Sequence, residues 1–472
     1  MRNPDYLRLV RSHCDKLLAN GLDVYGDRLT AMWMASLDTR TGRYPEDDAR
    51  PSHISKRVYR NIDAPRGCSL YWDQPAVVAA HFLSALTGEA LYAAAADAYV
   101  RDFIEACVAP TGVFLWGNHY YYDAFRDAPV RFIVEEAPVP CDRRTETGDL
   151  HEMRPLPGAW DAFRRVAPAE TERAIRMALA GHVVDARTGE FQRHAAGESG
   201  CAFLEAGGIL VESAAWLFAK THDAWLIETA SRVAAFSFRH RNESTGLLEN
   251  NPTQNRWDKF TATSEVGLWA NCLFRASKLA DVDDWADMAA DAIGAWSTHA
   301  WDAGHRRFHG RLRVADGTPI LEEKTTPYQP GDYCGLWEPL FPTHDYPMAA
   351  AEASLSAFER TGREAHLDVA RRWCEVIRGS LPARNGRGAY AEHYARCIHF
   401  LMRLGETAPD AGAGELARRV ADEAVSVLFA HDMFRGHPGE DRYDAVDGVG
   451  FLLLALLQLQ TGETPDMMGL GW

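Results

Sequence analysis

The 472-residue chain has no long apolar run. Its most apolar stretch, Val449 to Leu459, falls short of the roughly 20 residues that a membrane-spanning helix needs. The opening Met-Arg-Asn-Pro-Asp is not followed by an apolar segment, so no secretory leader is read and the cytoplasm is the expected address. Basic residues are in deficit: 50 Lys and Arg against 66 Asp and Glu leave a formal charge of −16. A sequence-blind grip on nucleic acid needs a basic field, so no nucleic-acid partner is expected. The same charge disfavours a long groove for a polyanion and leaves room for a short anion held by a local Arg cluster. The nine cysteines are odd in number and form no CxxC pair, which suits reduced, mostly buried thiols. His-Glu-x-x-His and Gly-rich phosphate loops are both missing, so no metal or other cofactor is expected. Gly207-Gly208 lies inside an apolar helical stretch, where close packing accounts for it.

What the chain has instead is a degenerate repeat. An apolar helix ends in a Gly or polar turn, a more polar helix follows, and then comes a Thr-Gly-x-aromatic signal leading to the next apolar helix. The signal stands at Thr41 to Tyr44, Thr111 to Phe114, Thr188 to Phe191 and Thr245 to Leu248, with weaker versions near His305, Asn385 and His431. The turns between paired helices recur at Thr87-Gly88, Thr221-His222, Thr361-Gly362 and Thr461-Gly462. Phe203 to Phe218, Val266 to Leu279 and Val446 to Leu459 are apolar nearly all round, as an inner helix should be. Leu91 to Cys107, Trp225 to Arg239, Trp285 to Trp296, His366 to Ile377 and Leu416 to Leu428 carry charge on one face, as an outer helix should. The pattern predicts an all-α fold, one domain over residues 1–472: an α/α toroid of six or seven antiparallel helix hairpins. The pair near 118–182 is the unclear one, because its inner helix around Trp160 is short. A linear solenoid repeats at about 34 to 47 residues, whereas these signals are spaced irregularly by about 45 to 80, which favours a closed ring.

In such a ring all loops leading into inner helices fall on one face, and there the sequence places its unusual residues. Predicted substrate contacts are Trp72 and Asp73; Trp116, Asn118 and Tyr120; Arg154; Arg193 and His194; Arg256 and Asp258; Tyr328 and Trp337; Tyr390 and Arg396; and Arg435 and His437. Flat aromatic rings stack on the apolar faces of sugars, and inner-helix N-termini favour an anion. A carboxylated sugar is therefore the expected ligand class. Glycoside hydrolysis needs two carboxyl groups across a cleft. Glu392 and Glu338, each beside aromatics at an inner-helix start, are candidates for it; Asp73, Asp123, Asp258 and Asp444 compete, and the sequence singles out no one pair. Asp73 and Asp444 also read as helix N-caps. The rival chemistry, β-elimination at a uronate, needs a Tyr or His base and a neutraliser for the carboxylate. His119 and Tyr121, or Tyr390, His393 and Arg396, offer those groups, although Glu392 and Arg396 at i, i+4 also make a structural ion pair. A sugar epimerase using a His pair from His194, His393 and His437, and a non-catalytic scaffold, remain alternatives. Self-association into a homo-oligomer is compatible with the sequence.

Several stretches resemble the six-hairpin glycosidase superfamily: Asp23 to Gly26 with Ser36 to Asp38, Trp72-Asp73-Gln74, Leu115 to His119, His182 to Asp185 running into Phe191 to His194, and Asp444 to Gly448. The branch they resemble contains exo-β-glucuronidases, and the superfamily is similar to unsaturated glucuronyl hydrolases and to helical-toroid uronate lyases. The resemblance implies a ring fold and a uronic-acid-containing oligosaccharide or polysaccharide as substrate. It leaves hydrolysis and elimination open. Seven hairpins rather than six would raise the lyase reading.

Overall fold

A computed structural model describes residues 5–45, 64, 66–117, 120–131, 139–140, 156–194, 199–253, 259–323, 330–337, 348–381, 389–466 and 469–470. Fourteen α-helices alternate between two layers. The inner layer is α2 (Leu70–Thr87), α4 (Trp160–Val166), α6 (Leu204–Thr221), α8 (Thr263–Ala280), α10 (Met348–Thr361), α12 (Ala391–Thr407) and α14 (Val449–Thr461). The outer layer is α1 (Tyr6–Asn20), α3 (Ala90–Ala106), α5 (Pro168–His182), α7 (Ala224–Arg239), α9 (Asp283–Ala300), α11 (Glu364–Ser380) and α13 (Ala413–Leu428). The helix order read from periodicity is therefore realised, and the ring holds seven pairs.

Each inner helix packs on the next from α6 through α8, α10, α12 and α14 to α2. The short α4 fills the remaining gap through side chains. Its Trp160 indole donates to Ser213 on α6 at 3.1 Å, and the Ala159 N–H donates to Gln74 on α2 at 2.7 Å. Seven residues make only two turns, and these polar contacts add to the buried Trp160, Ala162 and Phe163. The seventh pair joins the two ends of the chain, α1 against α14. Strand β1 (Ser36–Asp38) pairs antiparallel with β14 (Arg442–Asp444), and the Tyr6 N–H donates to Gln460 at 3.2 Å.

The recurring threonines explain the turns on the far face. Thr87, Thr221, Thr361 and Thr461 each donate to the carbonyl four residues back, and each hydroxyl accepts the N–H two residues on. Gly88, Gly362 and Gly462 follow with φ of 75°, 65° and 72°, the left-handed conformation that ends a helix and that glycine adopts without a Cβ clash. The Thr-Gly-x-aromatic signals turn out to be hairpin turns. Asp38, Asp185 and Asn242 each accept the N–H groups two and three residues on, ahead of Gly42, Gly189 and Gly246. Short strand pairs such as β6 (Val183–Asp185) with β7 (Glu190–Phe191) result. These small sheets are an addition to the predicted all-helical architecture, and they decorate the connections that lead into the inner helices.

Inner helices approach closely through small residues. A Cβ on Gly208 would lie 2.9 Å from the Trp269 Cα, which fits the packing role read for Gly207-Gly208. At Gly267 it would meet the Ala350 nitrogen at 2.3 Å, so α8 and α10 are in backbone contact. Gly267→Ala should force these helices apart and cost about 1–3 kcal/mol, read as a lower urea midpoint with an unchanged slope.

Candidate active site

Glu392 lies on the face carrying the inner-helix N-termini, in the first turn of α12, with its side chain fully buried. A Cβ on Gly448 would sit 2.3 Å from the Glu392 Cβ, so a bare glycine lets the start of α14 close over it. One carboxylate oxygen, Oε1, accepts from Arg396 Nε at 3.4 Å, while Oε2 meets no hydrogen-bonding partner among the described residues. Burial pushes the Glu392 carboxyl up to about 7, against a lowering pull from Arg396. The group is therefore protonated far more often near neutral pH than an ordinary glutamate. Arg396 is itself completely buried, donates from Nη2 to the Leu470 carbonyl at 3.2 Å, and stacks 4.0 Å over the Phe451 ring.

Beside this pair stands an acidic cluster built by the segment before α14. The Gly436 carbonyl accepts the Ala391 N–H at 2.9 Å, tying residues 436–442 to the start of α12. A Cβ on Gly436 would lie 2.2 Å from the Asp447 carboxylate, so Asp447 stacks directly on that backbone. Tyr390 has ring contacts to His437 at 4.8 Å and His393 at 5.8 Å. Burial first, then Asp447, Glu440 and Asp444, hold the Tyr390 proton far above the ordinary phenol range. Such a hydroxyl donates hydrogen bonds and does not serve as a base. The sequence reading passed over Glu440, and it quoted Asp447 only within a resemblance. The available signal was Asp444-x-x-Asp447-Gly448, two carboxylates one turn apart ahead of an apolar helix.

Of the predicted residues, the structure brings together Tyr390, Glu392, His393, Arg396 and His437 around the start of α12. Arg193 and His194 are half-buried at the approach to α6, Arg193 Nε against His194 Nε2 at 3.1 Å and its guanidinium 4.4 Å over Phe203. Near them Asn250 and Asn251 are buried, and Asn250 Oδ1 and Asn251 Nδ2 have no partner among the described residues. Trp72, Trp116 and Trp337 are buried, Trp116 inside a ring cluster of Tyr71, Phe114, Trp160 and Phe163. Trp337 donates to Ser380 at 3.0 Å. Glu338, His119, Asn118, Arg154, Arg256, Asp258 and Tyr328 lie outside the described residues.

Three expectations are corrected. Asp73 does not cap α2, whose cap position is Ser69: its two oxygens accept from Tyr99 and Tyr443, each at 2.8 Å, and burial raises it to about 7. It is a buried tie between the inner and outer layers. Asp444 stands before the short turn Ala445–Asp447, but its side chain does not cap it. Arg435 donates to the Val427 carbonyl, at 3.1 and 2.9 Å, and to Asp441 at 2.9 Å. Tyr120 and Tyr121 also belong to a strand and not to an open loop. They lie in β3 (Tyr120–Asp123), between β2 (Gly67–Cys68) and β4 (Ala128–Arg131), with 1% and 2% of their surfaces exposed.

Among the described residues no group of three His, Cys, Asp or Glu side chains is arranged to hold a metal, and no helix is long and apolar enough to cross a membrane. Seven of the eight described cysteines are buried, and all eight are free thiols.

The family of periplasmic pectate lyases matches residues 79–203, from the middle of α2 to just before α6. Over the whole chain the structure is similar to a GH76 α-mannanase of Bacteroides thetaiotaomicron, with 10% identity, a TM-score of 0.50, and 97% of this chain and 96% of that one covered. A family 76 glycoside hydrolase from a bovine strain of the same species gives 11% identity, a TM-score of 0.49 and coverage of 98% and 78%. An unsaturated glucuronyl hydrolase specific for heparin gives 10% identity, a TM-score of 0.47 and coverage of 83% and 96%. The chain thus has an α/α-toroid fold similar to that of the GH76 α-mannanase, with seven helix pairs among the described residues.

Proposed function

We propose that the protein is a carbohydrate-active enzyme, a glycoside hydrolase that removes uronosyl residues from oligosaccharides. The observation that carries this reading is Glu392, a buried carboxyl whose proton affinity is raised toward neutrality and whose Oε2 has no hydrogen-bonding partner among the described residues. An unmet buried acceptor costs about 1–3 kcal/mol, a cost that a substrate contact would repay. In the proposed reaction Glu392 protonates the leaving glycosidic oxygen. Asp447 supplies the second carboxylate, since its neighbour Gly448 lies against Glu392. Tyr390 and His437 bind sugar hydroxyls beside it. Arg193 and His194, with the open amide atoms of Asn250 and Asn251, receive the uronate carboxylate.

A second reading, β-elimination, draws on the match at 79–203 and on the seven-hairpin count. It needs a base at C5 of the uronate. The raised Tyr390 is unsuited to that, so the base would fall to Tyr121, His119 or His393. Incubation with glucuronan, alginate and glucuronylated oligosaccharides separates the two. Free uronic acid without ultraviolet absorbance from a conjugated double bond is the expected outcome. A rise in that absorbance supports elimination instead, and no change on any of the substrates overturns both.

A further inference from the structure

A bare ring of seven hairpins has a bore open at both faces, and the segment after α14 bears on it. α14 runs from the site face to the far face, and residues 462–464 beyond its end are exposed. Gly469 and Leu470 are nevertheless back among residues of the site face. A Cβ on Gly469 would lie 2.5 Å from the Gly158 carbonyl, just ahead of α4. The Leu470 carbonyl accepts from Arg396 of α12, and only 2% of Leu470 is exposed. Around the ring, α12 and α4 are separated by two inner helices one way and three the other, so they stand on facing walls. Arg396, fully buried on the inner helix α12, stacks over Phe451 of the neighbouring α14 and reaches the Leu470 carbonyl. A buried segment touching both walls lies inside the ring. Its backbone supports the same view. Gly469 has φ 127° and Leu470 φ 65°, the latter a conformation a leucine holds only where surrounding contacts enforce it.

We propose that Gly469-Leu470 is a floor laid across the bore beneath the site. It turns the ring from a channel into a blind pocket and determines that the enzyme accepts only a terminal sugar. The floor carbonyl holds Arg396, and Arg396 holds Glu392, so the proton donor stands at the closed end of the pocket. A polysaccharide cannot thread past it, and each reaction releases one residue. The groups shown against the donor are Arg396 from its own helix and the uncharged Gly448 at the start of α14, while the Leu470 carbonyl bonds Arg396 on its other side. The chain-end selection rests on the function proposed above; the existence of the floor does not.

Two measurements on the full chain test it. Hydrogen exchange without any ligand should show the Leu470 amide and the first turns of α12 protected, and Gly469→Val should lose that protection while leaving α6 and α8 unchanged. Fast exchange at Leu470 in the parent overturns the floor whatever the activity. With uronic oligosaccharides labelled at the reducing end, the parent should release single residues and Gly469→Val should also cut internally. Single-residue release from a variant whose segment exchanges freely overturns the selectivity role. If the parent cuts no uronic oligosaccharide, the functional reading fails and chain-end selection falls with it, while the exchange result still decides the floor. Should Gly469→Val not fold, Leu470→Ala, which loosens the contact without jamming it, is measured instead.

Discussion

Glu392→Gln should reduce turnover by about 10²–10⁴-fold while leaving the fold intact and, above neutrality, more stable. The two effects come from the same burial. Glu392 is raised from 4.5 to about 7 in the folded chain. A carboxyl that binds its proton more tightly when folded contributes stability below its unfolded value, and that stability is lost as pH rises through the folded value. Between about pH 4.5 and 7 the parent should therefore lose about 3 kcal/mol through this group. Glutamine is neutral throughout and escapes the loss. Urea unfolding should give matching stabilities below about pH 4.5 and a more stable variant above about 7. A variant that is inactive and equally destabilised at every pH would mark Glu392 as a packing residue.

Arg396→Met should produce the larger loss of stability, about 3–5 kcal/mol above neutrality. It removes a fully buried guanidinium that serves the Glu392 carboxylate, the Leu470 carbonyl and the Phe451 ring together. Below about pH 4.5 Glu392 is protonated, no lone buried charge is left behind, and the cost should shrink. Because Arg396 pulls the Glu392 value down, its loss should also move the alkaline limb of the pH–rate profile upward. A pH-independent loss with an unmoved limb would show that Arg396 acts through packing alone. Both variants can be read by calorimetry before any substrate is known.

The architecture was legible in the sequence because it is written locally. Apolar-all-round stretches became inner helices, one-faced stretches became outer helices, and Thr87-Gly88 or Thr461-Gly462 ended helices through bonds spanning four residues. The ambiguous pair has a short inner helix: α4 is held by the buried Trp160 and Phe163, with hydrogen bonds to Ser213 and Gln74, from distant parts of the chain. Partners far away in the chain were not legible. Asp73 looked like a helix cap, whereas its two oxygens accept from Tyr99 and Tyr443, 26 and 370 residues away. The three tyrosines 120–122 looked like a loop because strand pairing with Gly67-Cys68 leaves no local signature. The bonds of Arg435 were not legible either, because the Val427 carbonyl it binds is set by the path of a hairpin. Glu392 was chosen for its aromatic neighbours. Its proton affinity comes from burial under Gly448, which no spacing rule encodes.

The central claim is that this ring hydrolyses a uronoside with Glu392 as the acid. Mass spectrometry of the products formed from a glucuronylated oligosaccharide in heavy-oxygen water tests it most directly. The account predicts one heavy oxygen gained per bond cut by the parent and almost no product from Glu392→Gln. An unsaturated uronate with no heavy oxygen, or full turnover by Glu392→Gln, would contradict it.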